Sequence, residues 1–296
     1  MMKRLWGTIV CLLLCASGAS RLAHAAATRF SVLNFYPVQS TGTWQFVYES
    51  QHGTDPIVSV GTALTYGNRV LEERSSTRRV INHLFVQYLI TDLRLSRWLS
   101  GGVTFPMLWR LQFQDPAPLT APGYQLKTRP GDLQFRLQAR LVNRRFAPVG
   151  LGLVGFLTVP TGAESFYVGD EMVSGGGFFT LDTERWDRVM FGVNLGVEFR
   201  RPIDFRNIQI GTMSLLYRAG VAVDLTPTLD ASIELMGRSP LRRLFQERAE
   251  GPMECLGFLH ITPTPHVTLR IGGGGGVIHG TGSPQYRAVT SLAYHW

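Results

Sequence analysis

The chain has 296 residues, 29 of them basic and 21 acidic, for a formal charge of +8. A basic balance raises nucleic acid as a partner, but the arginines are scattered one to a strand or loop and form no dense basic face, so no nucleic-acid partner is expected. Beyond residue 27 no apolar run approaches the ~20 residues that a membrane-spanning helix needs, and of the three cysteines only Cys255 lies outside the leader, so no intramolecular disulfide is expected.

Residues 1–25 read as a signal peptide. Lys3 and Arg4 precede an apolar stretch from Leu5 to Ala16, and Ala23-His24-Ala25 has the small-x-small form of a cleavage site. Leu14 before Cys15 argues against lipidation. Loss of Lys3, Arg4 and Arg21 lowers the formal charge to +5. The remainder, 26–296, is expected to be a single domain.

That domain reads as strands. Leu133, Phe135, Leu137, Ala139 and Leu141 alternate with Asp132, Gln134, Arg136, Gln138 and Arg140. Val189, Phe191, Val193, Leu195, Val197 and Phe199 alternate in the same way with Met190, Gly192, Asn194, Gly196, Glu198 and Arg200. A soluble sandwich also alternates, but runs of about 10 to 12 residues match a tilted membrane strand and exceed the usual soluble strand of about 5 to 6.

Further strands are expected near 44–50, 57–66, 80–91, 98–107, 148–159, 174–184, 208–224, 229–238, 253–262, 266–278 and 287–296, with short and long connections alternating between them. This is the pattern of an up-and-down transmembrane antiparallel β-barrel with short periplasmic turns and long external loops. Parity calls for one more strand, over 30–39, giving fourteen; if that segment instead threads the lumen or stays loose, twelve strands follow once two segments are merged or discarded.

Gly272 to Gly276 is a five-glycine run without a following Lys-Ser/Thr, so it reads as a bend or close approach in a strand and not as a phosphate loop. His83, His260, His266 and His279 lack metal-ligand spacing. Asp182 and Glu184 are conceivable histidine partners, yet no spacing nominates a nucleophile. Neither an enzyme nor a cofactor is expected.

The last strand alternates and ends on Tyr294 and Trp296, which resembles the closing strand of bacterial outer-membrane barrels. That resemblance implies outer-membrane lipids and lipopolysaccharide as surroundings, and the barrel assembly machinery as a partner reading Tyr294 and Trp296. Gly131-Asp132-Leu133, Thr158-Val159-Pro160-Thr161-Gly162 and Gly282-Ser283-Pro284-Gln285-Tyr286-Arg287 together resemble the barrel portion of large OmpA-like outer-membrane proteins. The G-D-L and P-T-G pair also resembles barrel transporters, including phenol-degradation transporter homologues and long-chain fatty-acid channels. The chain ends at Trp296, where OmpA-like relatives continue into a peptidoglycan-binding domain, so cell-wall anchoring is not expected.

The inward face should carry any selectivity. Asp132, Arg136, Arg140, Glu198, Arg218, Glu234 and Arg270 fall on polar sides of their strands. The expectation is a passive channel or transporter for small solutes, its arginines biasing passage toward anions. The alternative is a structural or surface-adhesive barrel whose lumen is closed by ion pairs. Arg is expected to be costly at Val193 on the lipid face and cheap at Asn194 on the wet face.

Overall fold

The computed structural model describes residues 31–38, 42–50, 58–72, 79–113, 128–144, 146–162, 169–170, 172–205, 208–246 and 250–296. The leader expected over 1–25 lies outside them. The strands are β1 (Val58–Glu72), β2 (Arg79–Arg94), β3 (Leu99–Phe113), β4 (Arg129–Pro130), β5 (Leu133–Val142), β6 (Val149–Val159), β7 (Ser174–Thr183) and β8 (Val189–Phe199). They continue as β9 (Ile203–Phe205), β10 (Ile208–Ile210), β11 (Met213–Thr226), β12 (Leu229–Pro240), β13 (Met253–Thr264), β14 (Val267–Ile278) and β15 (Tyr286–His295).

Pairing is antiparallel between neighbours throughout, and β1 closes the ring against β15 from Ser59↔His295 to Asn68↔Tyr286. The two-residue β4 adds only to the flank of β3, and β9 and β10 form a separate hairpin, so the closed barrel has 12 strands. Closure pairs both edges of each of the 12 ring strands, which a bilayer demands of a spanning β-structure.

The period of 2 assigns each face. Phe135, Leu137 and Leu141 of β5 and Phe191, Val193, Leu195, Val197 and Phe199 of β8 are exposed on the outer surface, whereas Gln134, Arg136 and Gln138 and Met190 and Asn194 are buried within. Leu153, Ile233, Leu259, Ile271 and Leu292 extend the apolar band around the ring. Exposed aromatics flank it: Trp98, Phe146, Trp186, Tyr294 and Trp296 near the short turns, Trp109 and Tyr286 near the long loops. Such girdles mark the two interfaces of a bilayer.

Three strand expectations are corrected. Residues 31–38 and 42–50 form no strand; they run inside the barrel, where nearly every side chain is buried. Trp44, Phe46 and Tyr48 alternate with Gln45, Val47 and Glu49 as a strand would, but both sets are enclosed, so neither meets lipid. Twelve strands result. The expected strand over 208–224 is also two elements, β10 and β11, divided at Gly211 and Thr212.

The glycine run lies within β14, where Gly272 receives the ring of Phe258 from the neighbouring strand.

Candidate functional site

A segment inside a barrel without strand partners leaves its peptide groups needing donors and acceptors, and the wall must supply them. Inward side chains of this wall do so. The Glu234 carboxylate on β12 accepts the N–H groups of Gln45 (2.7 Å), Phe46 (2.7 Å) and Val47 (3.1 Å). Asn194 on β8 accepts from Tyr48 N–H at 2.7 Å and donates to its carbonyl at 2.9 Å. Arg136 donates to the Val38 carbonyl at 2.8 Å, and Arg218, Gln138 and Arg270 donate to the carbonyls of Phe46, Glu49 and Gly42. Asp182 accepts from Ser50 N–H at 3.1 Å and from its hydroxyl.

The segment also builds a core of its own. Phe35 and Phe46 pack on Met236, Leu256, Phe258 and Val289; Val38 and Tyr48 pack on Val154, Phe178 and Leu216. The Trp44 indole lies in a notch made by paired Gly192 and Gly220, where an added Cβ would stand 2.6 Å and 2.9 Å from the ring. Arg218 stacks over Tyr48 and Phe178, 5.0 and 4.7 Å from their centroids, a favourable use of a buried cation.

The residues singled out from sequence divide accordingly. Arg136, Arg218, Glu234 and Arg270 converge on the internal segment, and Arg136 also pairs with Asp92. All four are buried and hold peptide groups of that segment. Arg140 bends to the short-turn rim, donating to the Arg97 carbonyl and lying 6.0 Å over Trp98. Glu198 faces Arg238 at 3.5 Å. Tyr294 and Trp296 are exposed outward in edge contact at 4.8 Å.

His260 hydrogen-bonds Asp230 at 3.1 Å, and no metal-holding cluster occurs among the described residues. Asp182 serves Ser50 and Arg144 and not a histidine; Arg144 bridges it (2.7 Å) to Glu49 of the internal segment (3.2 Å). Burial works against the Arg144 charge, but the two carboxylates outweigh it and hold its pKa above the ordinary value.

The two short motifs meet in one joint at the long-loop side. Asp132 accepts the N–H groups of Gly162 (2.9 Å) and Asp170 (2.6 Å). The Thr161 hydroxyl donates to the Gly131 carbonyl at 3.0 Å and accepts from Leu133 N–H at 3.0 Å. Asp170 in turn accepts the Ser31 N–H at 2.8 Å and pairs with Arg200 at 3.1 Å, tying the loop to the internal segment. Burial pushes the Asp132 carboxyl, in the turn before β5, up to about 6, against the lowering pull of the N–H groups of Asp170 and Gly162.

The internal segment separates two spaces. At the short-turn rim a cavity of about 670 Å³ is bounded by Gly42, Thr43, Arg185, Asp230, His260 and His295. On the long-loop side a cavity of about 30 Å³ lies among Ser31, Tyr36, Asp132, Arg200 and Arg238. Sequence reasoning missed Arg238 and the grip of Asn194. Both lie in phase with the inward positions of their strands, and extending the β12 alternation from Glu234 through Met236 would have placed Arg238 inside.

A polar-lined, closed 12-stranded barrel with an internal N-terminal segment defines the class of the molecule. The chain matches no family model and no curated protein sequence. Among solved structures it is similar to the COG4313 outer membrane channel from Pseudomonas putida F1. That match has a TM-score of 0.63 at 12% identity and covers 83% of this chain and 98% of the channel. It is also similar to the NanC porin, with a TM-score of 0.54 at 8% identity over 81% of this chain and 100% of the porin. At these identities the likeness is one of fold.

Proposed function

We propose that this chain is an outer-membrane channel for small solutes, held shut by its own residues 31–38 and 42–50. The observation that carries this reading is the mode of attachment. Among the described residues, the segment is bound to the wall by side chains and not by strand pairing, so it can leave its seat without breaking the ring of backbone hydrogen bonds. The two structural neighbours, an outer membrane channel and a porin, point the same way. The apolar band and aromatic girdles suit residence in a bilayer, and by the usual asymmetry the short-turn rim faces the periplasm.

Liposome swelling tests the reading. Vesicles holding the folded full chain should be poorly permeable to a small sugar or amino acid, and vesicles holding the chain without residues 31–50 should swell readily. If the shortened chain folds and admits nothing, the closed structural barrel is the better reading. That alternative draws on the apolar clusters around Phe46 and Tyr48, which fill the lumen as a core would.

A further inference from the structure

Among the described residues, Arg238 is a buried charge whose donors are not used up. Its side chain is 2% exposed, and its Nη1 faces Glu198 at 3.5 Å. Its Nε and Nη2 are buried with no hydrogen-bond partner among the described residues. These two N–H groups form one edge of the guanidinium, the edge that takes a carboxylate side-on with two parallel bonds. The same wall shows that use: Arg287 places Nε and Nη2 on the two oxygens of Glu254 at 2.7 and 2.9 Å.

Arg238 borders the cavity of about 30 Å³ beneath the long loops. That exceeds the roughly 10–15 Å³ needed for one water. The acids around the cavity already have donors: Asp132 holds two peptide N–H groups, Asp170 holds Ser31 and Arg200, and Glu198 faces Nη1 of Arg238. Leaving a buried guanidinium edge unmatched is costly. A carboxylate supplies what the edge lacks.

We infer that this cavity is a subsite for the carboxylate of a small organic acid, gripped side-on by Nε and Nη2 of Arg238. The inference rests on the channel reading for its role in passage, where it names the solute class, but binding itself does not require conduction. The bound group would lie beside Ser31 and Tyr36 of the internal segment and beside Asp170.

The probe is sodium propionate, with propionamide as its neutral isostere, followed by saturation-transfer NMR on the folded full chain in detergent. Propionate should bind saturably and propionamide at least tenfold more weakly. Arg238→Lys, which keeps the charge and loses the edge, should weaken propionate at least tenfold, and exposed Arg242→Gln should leave it unchanged. Equal binding of the two probes, or no saturable propionate binding, overturns the subsite using the unaltered protein, whatever the variants do. Phosphate binding in preference to propionate overturns the carboxylate assignment. Propionate binding without swelling of vesicles that hold the shortened chain leaves the subsite standing and removes the channel; swelling without propionate binding does the reverse.

Discussion

At the scale of single residues, the inward polar side chains hold peptide groups more than they hold each other. Glu234 has three N–H groups on one carboxylate. Glu234→Ala strands three donors, each costing about 1–3 kcal/mol if it stays buried. The segment should loosen, with faster amide exchange at Gln45 to Val47 and a red-shifted Trp44 emission, while exchange in β12 and β13 is retained. Asn194→Arg, which the alternation alone treats as cheap, should instead expel Tyr48, because Asn194 is fully enclosed and binds both its peptide groups.

Depth decides the outer face. Val193→Arg, at mid-strand, should cost about 2–4 kcal/mol in urea titration of the lipid-embedded barrel, and Thr226→Arg at the rim about 0–1. Equal costs would remove Val193 from the bilayer centre. Asp132 gives a pH signature. The folded chain keeps its proton up to about pH 6, whereas an unfolded chain releases it near pH 4. Between those values the unfolded chain binds fewer protons, so this group's contribution to stability falls as pH rises. Asp132→Asn should flatten the fall measured between pH 4 and pH 7, and an unchanged slope would place the proton elsewhere.

At the scale of elements, what the sequence makes legible is whatever repeats. The strands from β5 to β8 and from β12 to β15 lie within a few residues of their expected positions, because an apolar outer face alternating with an enclosed inner one imposes a period of 2. The segment at 44–50 mimics that period for another reason: a chain threading a lumen must also place Trp44, Phe46 and Tyr48 against something apolar. Its partners lie as much as 246 positions away, as with Ser291 and Gln45, and no local pattern announces them. The glycines of β8 and β11 carry the same information in negative. Gly192→Leu should fill the notch that seats Trp44, and its Cβ already comes within 2.6 Å of the ring. The expected result is a native-like barrel by circular dichroism, with the segment displaced and vesicle permeability raised. Retained low permeability with normal Trp44 emission would mean that the notch is not the seat. The G-D-L and P-T-G motifs were visible as motifs, but their meaning is a joint between Asp132 and Gly162 that only the fold assembles.

At the scale of the whole molecule, two structures are nested: a closed ring stabilised by strand pairing, and an internal segment stabilised by side chains of that ring. The ring is complete without the segment, since β1 pairs with both β15 and β2. The segment has no comparable independence, and its described backbone bonds outside the wall are few, such as Val38 N–H to the Gln45 carbonyl at 2.9 Å. The stability of the barrel and the closure of its lumen are therefore separable properties. Single-channel conductance in a planar bilayer tests this most directly, comparing the intact chain with Glu234→Ala/Asn194→Ala, both verified as folded. The intact barrel should stay shut or open only in small, brief steps, and the double variant should show larger and longer steps. Wide, steady conductance from the intact chain, or indistinguishable records from the two, would contradict the account.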